Sequence, residues 1–470
     1  MKKLIKNGTI VTASDTFLAD VLIDGEKIIA VGIDHSDEGV EVIDAKGKYV
    51  LPGGVDPHTH FDLPMFGTVS SDDHYTGGKA AAFGGTTTVM DFTVMEGNNI
   101  QGSLDKWHAL AEKSAVDYSF HMNLNHFDRS IERQFKTLRD NGITTLKVFT
   151  AYNGRLRLDD GGIFKALLAA KEHGLLMMAH CENGDVIEDL VPKALDAGHT
   201  SAAWHAYTRP KWGAIESTLR MAAMAQQADS PVYIVHMNAG GEADMLQYAR
   251  QRGVKVMGET CPPYLFFTTQ DMERPDGAKW VCSPPMRDKE DNTRLMEALS
   301  NGTVQTIATD HCPFFFDGTT PILYEGQQVK IAGKELGKDN FTKIPNGLPG
   351  VQDRLPILWT HGVGAGKITM NQFVAYTSTN PAKIFGIYPQ KGCIAPGADA
   401  DLVIWDPEKR IKYGVAHSHQ RTDYNLYEGW ELKGYPEKVF LRGNMIVDGD
   451  KWLGKKSGGK FLRREEGMII

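Results

Sequence analysis

The sequence contains few cysteines. Its 470 residues include only Cys181, Cys261, Cys282, Cys312 and Cys393, an odd number without a C-x-x-C pair. This pattern argues against a disulfide framework, which needs cysteines in even number at regular spacing in a short secreted chain. We expect five free thiols. Cys181 and Cys312 are expected to pack in the core, because a free cysteine behaves as a small apolar side chain.

The sequence also lacks long basic runs and long apolar runs. The formal net charge is −8 and the pI is about 6.1, so a nucleic-acid partner has little support. No apolar stretch approaches the roughly 18 residues of a membrane-spanning helix. The start MKKLIKNGTIVTA is too polar for a signal peptide. We therefore expect a cytoplasmic protein without a membrane partner.

The two ends of the chain share a β-rich pattern. Hydrophobic residues make up 41% of the sequence, and the chain is longer than the ~250 residues of a bare (β/α)8 barrel. Short strand-like runs separated by Asn-Gly and Asp-Gly turns fill residues 1–50, and similar runs return in residues 392–455. The sequence predicts one small, discontinuous β-sandwich domain from both ranges. Residues 456–470 form a tail that either packs on a neighbouring subunit or frays.

Between residues 51 and 391 strand-like runs alternate with helical stretches. Alternation of this kind favours a parallel sheet, and eight repeats favour closure into an α/β fold of the TIM-barrel, (β/α)8 type. Two connections, 182–215 and 313–350, are longer than ordinary loops, so we expect them to line or cover a site. The eight candidate strands are YVLPGGVDPHTHF, TTTVMDFT, YSFHMNLN, TTLKVFTAY, LLMMAHCEN, VYIVHMN, VKVMGETCPPYL and VQTIATDHCPF.

Polar side chains that bind metals stand at the C-terminal ends of five of these runs. The C-terminal ends of barrel strands converge, and active sites are built there. Imidazole nitrogens and carboxylate oxygens suit zinc or a similar divalent metal. The residues are His58, His60, Lys147, His180, His236 and Asp310.

The four histidines indicate a metal site only when they are considered as a set. A single histidine in such a run is more often a satisfied core residue than a ligand. His58 and His60 are two residues apart on one strand, so both side chains point to the same face and can reach one ion. His180 and His236 close the fifth and sixth candidate strands and could hold a second ion. The shared placement of all four favours a metal centre.

Lys147 differs from the other members of the set. An ammonium group cannot bind a cation, and an unpaired charge inside the apolar run LKVFTAY is costly. A carbamate, formed by addition of CO2 to the amine, is anionic and has two oxygens that can bridge two metals. We therefore expect Lys147 to be an N6-carboxylysine. The alternative is an ordinary surface or ion-paired lysine.

Several longer motifs resemble the dihydropyrimidinase/D-hydantoinase family of the amidohydrolase superfamily. As an ordered set they are highly specific and span nearly the whole chain. They are LPGGVDPHTHFDLP, AAAFGGTTTVMDF, LKVFTAY, AHCENGD, CSPPMRDK, ATDHCPF, FTKIPNGLPGVQDR and PGADADLVIWDP. The resemblance implies a hydrolase that opens dihydropyrimidine or 5-substituted hydantoin rings to N-carbamoyl amino acids. It also implies two zinc ions and a homotetramer or homodimer.

The resemblance also assigns roles to individual residues. It places His58, His60 and Asp310 on the more buried metal and His180 and His236 on the other, with carboxylated Lys147 bridging. Asp310 would also be catalytic, as the group that moves the proton. Tyr152 would be the catalytic donor to the oxyanion. Tyr152, Ser283 and Asn346 would bind the substrate, the last two largely through main-chain atoms.

One position distinguishes this chain from dihydroorotase-like relatives. Those proteins carry His-x-His-x-Arg, whose arginine grips a carboxylate, whereas this chain has Asp62 there. An anionic ring would be repelled, which favours a neutral imide or ureide. Leu63, Met65 and Phe66 follow and either wall the pocket or only pack in the loop.

The alternatives to the cyclic amidase are an allantoinase and a non-catalytic scaffold like the metal-deficient relatives. The complete ligand set argues against a scaffold.

Overall fold

The computed structural model describes residues 2–33, 35–36, 38–65 and 67–470. These residues build a barrel and, beside it, a separate sheet that contains both ends of the chain. None of the described helices is both long enough and apolar enough to cross a membrane.

The barrel consists of eight parallel strands, numbered here barrel strands 1 to 8 in chain order. Each strand pairs with its neighbour in the sequence of strands. An isolated bridge between Thr59 and His311 joins the ends of strands 1 and 8, so the barrel is nearly closed. The strands are Gly54–Thr59, Thr86–Thr93, Asp117–Asn123, Thr145–Phe149, Leu176–His180, Val232–Met237, Val256–Thr260 and Thr306–Ile307. All eight strands predicted from the sequence are present, and the predicted barrel is confirmed.

Helices surround the barrel because its strands are buried on both faces and need apolar cover. Every residue of the eight strands is buried. The α-helices are His74–Phe83, Ile100–Ala111, Arg129–Glu132, Phe135–Asp140, Asp160–Glu172, Gly184–Asp196, Trp204–Tyr207, Lys211–Ala228, Gly240–Arg250, Pro262–Phe266, Thr269–Met272, Lys289–Ser300, Arg354–Leu358, Met370–Val374 and Asn380–Ile384. Two π-helical turns, Trp359–Val363 and Ala375–Thr379, connect the last three.

A second, mixed sheet unites the two ends of the chain. Its core includes Ile5, Ile23, Ile404 and Phe440, all fully buried. The nine strands are Lys2–Val11, Thr16–Asp24, Lys27–Gly32, Glu41–Asp44, Tyr49–Pro52, Leu402–Lys412, Glu431–Leu441, Asn444–Asp448 and Lys451–Trp452. The predicted β-domain from both termini is thus present as one continuous hydrogen-bonded sheet. Its boundaries at residues 50, 392 and 455 stay predictions.

The chain passes from the terminal sheet to the barrel at Gly53. The run YVLPGGVDPHTHF was predicted as one strand, but it forms two, Tyr49–Pro52 in the terminal sheet and Gly54–Thr59 in the barrel. A Cβ atom at Gly53 would collide with the side chain of Thr87, so the crossing requires a residue without a side chain. The single-strand prediction is wrong because apolar patterning cannot show a change of sheet.

The C-terminal tail packs on the barrel of its own chain. The backbone nitrogens of Leu462 and Met468 donate to the carbonyls of Tyr118, at 2.7 Å, and Lys383, at 2.9 Å. Arg464 is buried. Fraying, one of the two expectations for this tail, is therefore wrong, because main-chain hydrogen bonds fix this segment. Packing on a neighbouring subunit stays a prediction.

The two long connections contain structure of their own. The range 182–215 carries the helices Gly184–Asp196 and Trp204–Tyr207 and the start of the next helix. The range 313–350 contains the hairpin Ile322–Tyr324 with Gln327–Val329 and the 3-10 turns Lys334–Gly337 and Phe341–Lys343. A second short hairpin pairs Pro64–Met65 with Thr68–Val69.

Candidate active site

The six residues singled out at the strand ends lie around one cavity. It has a volume of about 320 Å³ and opens at the C-terminal end of the barrel. Strands 1, 4, 5, 6 and 8 deliver the side chains because parallel strands end at the same rim. The cavity is lined by His58, His60, Lys147, His180, His236 and Asp310, together with Tyr152, Ser283 and Asn346. The nine predicted site residues are thus brought together.

The nitrogens and oxygens of this set face one another in two groups. The Nε2 atoms of His58 and His60 both lie 3.1 Å from Oδ1 of Asp310. Nδ1 of His180 lies 3.0 Å from Nε2 of His236. Ligand atoms of His58, His236 and Asp310 also lie within 4.8 Å of one another, so the two groups are adjacent.

This arrangement fits a divalent metal. Within the described residues, the buried Nε2 atom of His58 has no hydrogen-bond partner, although the Asp310 carboxylate is close. An imidazole nitrogen and a carboxylate oxygen both turned toward one point are the donors that zinc prefers. A cation between them would satisfy both atoms.

Burial and neighbouring charges shift the pKa values of these groups in different directions. Burial lowers the pKa of three imidazoles, those of His60, His180 and His236. At His58 burial acts in the same direction, but the charges of Asp310 and Glu259 outweigh it and raise the pKa to about 8. Burial alone would raise the pKa of Asp310, yet His58 and His60 hold it well below its usual range. The carboxylate is therefore ionised at neutral pH.

Lys147 stands in the wall of the cavity without a carboxylate partner. Its Nζ atom lies 4.7 Å from the centre of the Phe92 ring and 5.0 Å from that of Phe149. Within the described part of the chain, no acidic group lies within ion-pair distance of this buried amine. Burial lowers the pKa of Lys147 to about 8, although Asp310 and Glu259 oppose the shift. A substantial fraction of the amine is therefore neutral and nucleophilic near pH 8.

Glu259 orients two of the histidines, and sequence reasoning missed this residue. It lies on barrel strand 7, where the motif MGET offered a carboxylate inside a buried strand. Its Oε1 atom lies 2.7 Å from Nδ1 of His58 and accepts the backbone N–H of His236 at 3.1 Å. The hydroxyl of Tyr233 donates to Oε2. A proton held on Nδ1 of His58 leaves Nε2 free to face Asp310.

Glu182 has the matching role at the other group. Its Oε2 atom lies 2.9 Å from Nε2 of His180, so Nδ1 of that ring faces His236. Arg209 lies 3.7 Å from the other carboxylate oxygen. Both contacts are of the kind seen where a histidine binds a metal through one ring nitrogen and donates the other N–H to a carboxylate.

Replacing Glu259 with glutamine is expected to lower metal affinity by about 10–100-fold, as for other hydrogen-bond partners of metal ligands. The amide keeps the shape of the side chain but weakens its hold on the His58 N–H. Metal content after dialysis against graded chelator measures the effect. The exposed Glu290, changed to glutamine, is the control; equal metal retention in both variants would contradict an orienting role for Glu259.

Three residues of the cavity have left-handed backbone conformations. The φ angles are 37° at His236, 50° at Asp310 and 68° at Tyr152. Positive φ is unfavourable for residues other than glycine, and such strain persists where the surrounding structure imposes it, often at active sites. His236 lies near the end of barrel strand 6, whereas Tyr152 and Asp310 follow the ends of strands 4 and 8, and all three side chains line the cavity.

The candidate substrate-binding residues line the same cavity as the histidines. The side-chain amide of Asn346 donates to Oγ of Ser283 at 3.1 Å. The Tyr152 ring lies 5.3 Å from the His180 ring. Burial raises the pKa of Tyr152 above its ordinary value, so its phenol remains a hydrogen-bond donor throughout the neutral range.

Apolar side chains form the outer wall of the cavity. Leu63 and Met65 line it, together with Leu156, which agrees with a pocket for an exocyclic group; the predicted Phe66 lies outside the described residues. Cys312 is buried and packs with Leu63 and Phe314, as expected from the sequence, and it also borders the cavity.

Asp62 does not line the cavity, contrary to the prediction that it repels an anionic ring. Its carboxylate accepts from Lys113 at 3.1 Å and lies 2.9 Å from Nδ1 of His74. These two partners turn the side chain away from the cavity and offset its charge. The chain therefore lacks the arginine of the related pattern without gaining a repulsive group in its place.

Comparison with known proteins agrees with this site. The model of the amidohydrolase family matches residues 49–446. The chain is 45% identical to the D-hydantoinase of Geobacillus stearothermophilus over 469 residues, which are 99% of this chain and 97% of the relative. It is 41% identical to the D-hydantoinase of Ralstonia pickettii over 470 residues, 99% of each chain. The crystal structure of dihydropyrimidinase from Brevibacillus agri NCHU1002 superimposes with a TM-score of 0.95 at 45% identity and covers 100% of both chains. On this evidence the chain belongs to the amidohydrolase family.

Proposed function

We propose that this protein is a metal-dependent cyclic amidase that opens dihydropyrimidine or 5-substituted hydantoin rings to N-carbamoyl amino acids. The observation that carries the proposal is the convergence of four histidines, Lys147 and Asp310 on one cavity whose outer wall is apolar. Relatives similar over their full length are named D-hydantoinase, and a structural relative is named dihydropyrimidinase.

The proposed cofactor is a pair of zinc ions. His58, His60 and Asp310 would hold one ion and His180 and His236 the other, with Lys147 carboxylated between them. When bound, such a metal pair lowers the pKa of water and polarises a carbonyl group. The near-neutral pKa of the Lys147 amine supports its reaction with CO2. A homotetramer or homodimer and a cytoplasmic location stay predictions.

Side chains of the protein would carry out the other steps of ring opening. Ser283 and Asn346 would hold the ring amide so that its carbonyl faces Asp310. Water attacks the carbonyl carbon, and the Tyr152 hydroxyl donates a hydrogen bond to the oxygen that becomes negative. The ionised Asp310 accepts a proton from the attacking water and returns it to the ring nitrogen as the C–N bond breaks. The products of this sequence are a carboxylate and a ureido group.

The direct test measures ring opening as loss of absorbance with dihydrouracil, a 5-substituted hydantoin and allantoin. The protein is expressed with zinc and bicarbonate, and a chelator-treated sample is the control. We expect chelator-sensitive opening of the first two rings. Turnover of allantoin alone would assign an allantoinase instead. Bound zinc without any turnover would overturn the proposal in favour of a non-catalytic scaffold.

Because relatives similar over their full length are named D-hydantoinase, we expect the D enantiomer of a 5-substituted hydantoin to be opened at least about tenfold faster than the L enantiomer. If Ser283 and Asn346 fix the ring, only one enantiomer places its substituent against Leu63 and Met65. Chiral chromatography of the N-carbamoyl product measures the ratio, after correction for uncatalysed racemisation of the substrate. Equal initial rates for both enantiomers would contradict the prediction.

A further inference from the structure

A buried lysine outside the cavity connects the two segments that carry Ser283 and Asn346. Lys334 begins the 3-10 turn Lys334–Gly337 in the long connection after barrel strand 8. Its side chain is 1% exposed. The Nζ atom donates to the carbonyl of Val281 at 2.9 Å and to the carbonyl of Pro345 at 3.1 Å.

These two carbonyls stand next to the candidate substrate-binding residues. Val281 precedes Ser283 by two residues, and Pro345 immediately precedes Asn346. The segments have two further links, from the Gly347 N–H to the Val281 carbonyl at 3.1 Å and between the Asn346 and Ser283 side chains. Lys334 therefore links the segments 281–283 and 345–347, which are distant in sequence, and fixes the distance between them.

The environment of Lys334 argues against a simple stabilising role. Within the described ranges, no carboxylate lies within ion-pair distance of its amine, whose neighbours are the two carbonyls and the thiols of Cys282 and Cys312. Burial lowers the pKa of Lys334 to about 7. A buried ammonium group without an anionic partner costs stability, even where carbonyls accept its hydrogen bonds. An apolar side chain of similar length would fill the same space at less cost, but it would not join the two carbonyls.

Lys334 does not line the cavity, so it cannot contact the substrate ring directly. Its influence must pass through the main chain at residues 281–283 and 345–347. Those segments carry the groups proposed to hold the ring amide, and a displacement of about 1 Å at such groups is enough to lower catalytic efficiency greatly.

We propose that Lys334 is a positioning residue that sets the spacing of the Ser283 and Asn346 segments and thereby determines how tightly the cyclic substrate is held. This inference rests on the proposed ring-opening function. It assigns to the connection 313–350 a role in setting the affinity for the substrate.

The test compares Lys334→Met with the wild type and with Lys338→Met, an exposed lysine just after the same turn. We expect KM for the preferred ring to rise by about tenfold in Lys334→Met, with kcat changed by less than about threefold and metal content unchanged. In Lys338→Met all three quantities should match the wild type. Lys334→Gln, which keeps one amide donor, should give an intermediate KM.

The outcomes distinguish a role of Lys334 in substrate binding from a role in stability alone. A wild-type KM in folded Lys334→Met overturns the inference, as does a fall in kcat, metal content and melting temperature without a rise in KM. If Lys334→Met does not fold, Lys334→Gln decides in the same way. A wild-type protein that opens no ring overturns the proposed function and the inference together, whereas ring opening with an unaltered KM in the variants overturns the inference alone.

Discussion

Replacing Lys147 with alanine is expected to remove bound metal and activity together. The methyl group cannot carry a carbamate, so the two groups of ligands would lose the anion proposed to bridge them. We expect kcat/KM to fall by at least about 10³-fold, more than the roughly 10–100-fold that loss of a partner of a metal ligand costs. Metal analysis and kinetics on the same preparation measure both effects. Lys165→Ala, at an exposed position on the helix Asp160–Glu172, is the control.

A separate measurement examines the modification itself. Because the pKa of Lys147 is lowered to about 8, the neutral amine, which is the form that reacts with CO2, increases as the pH rises through 8. Metal- and CO2-depleted protein should therefore regain activity faster at pH 8.5 than at pH 6.5, at a fixed concentration of dissolved CO2. Intact-mass analysis should show the addition of one CO2. Retention of two metals by Lys147→Ala would rule out the bridging carbamate.

Replacing Tyr152 with phenylalanine is expected to lower kcat by about 10²–10³-fold, the equivalent of roughly 3–4 kcal/mol for one lost oxyanion donor. The phenol lines the cavity, and its raised pKa keeps it protonated at neutral pH. KM and metal content should change little, because the hydroxyl is proposed to act mainly in the transition state.

The control for Tyr152→Phe is Tyr207→Phe. Tyr207 is 47% exposed and donates to the side chain of Glu273, away from the cavity. We expect its removal to leave kcat unchanged. A normal kcat in Tyr152→Phe would remove Tyr152 from the reaction, and a parallel loss of metal would indicate that the hydroxyl supports the centre instead.

The strand pattern was sufficient to predict the barrel. Each of the eight runs contains apolar and β-branched residues that suit a strand buried on both faces, and this property is visible in the sequence. The positions of His180 and Asp310 at the ends of such runs then predicted that they would meet. What the pattern could not show was the change of sheet at Gly53, since buried strand residues continue on both sides of it.

Neighbours distant in sequence were harder to predict. Asp62 looked like a group of the site because it follows His60 by two residues, yet Lys113 and His74 draw its carboxylate away. Glu259 looked like an ordinary residue of strand 7, although it orients His58 across 201 positions of sequence. Each case depends on a side chain from another helix or strand. A pattern within a short stretch of sequence cannot reveal such a contact.

The sequence by itself determined the barrel, the β-domain formed by both termini and the set of polar residues at the strand ends. It did so because buried strands and the helices between them produce a recurring pattern of apolar and polar residues along the chain. Only the tertiary structure decided which carboxylates face the histidines, which residues line the cavity and how Lys334 joins two loops. Those contacts arise when the eight strands close, and closure fixes distances of a few ångströms between residues that are far apart in the chain.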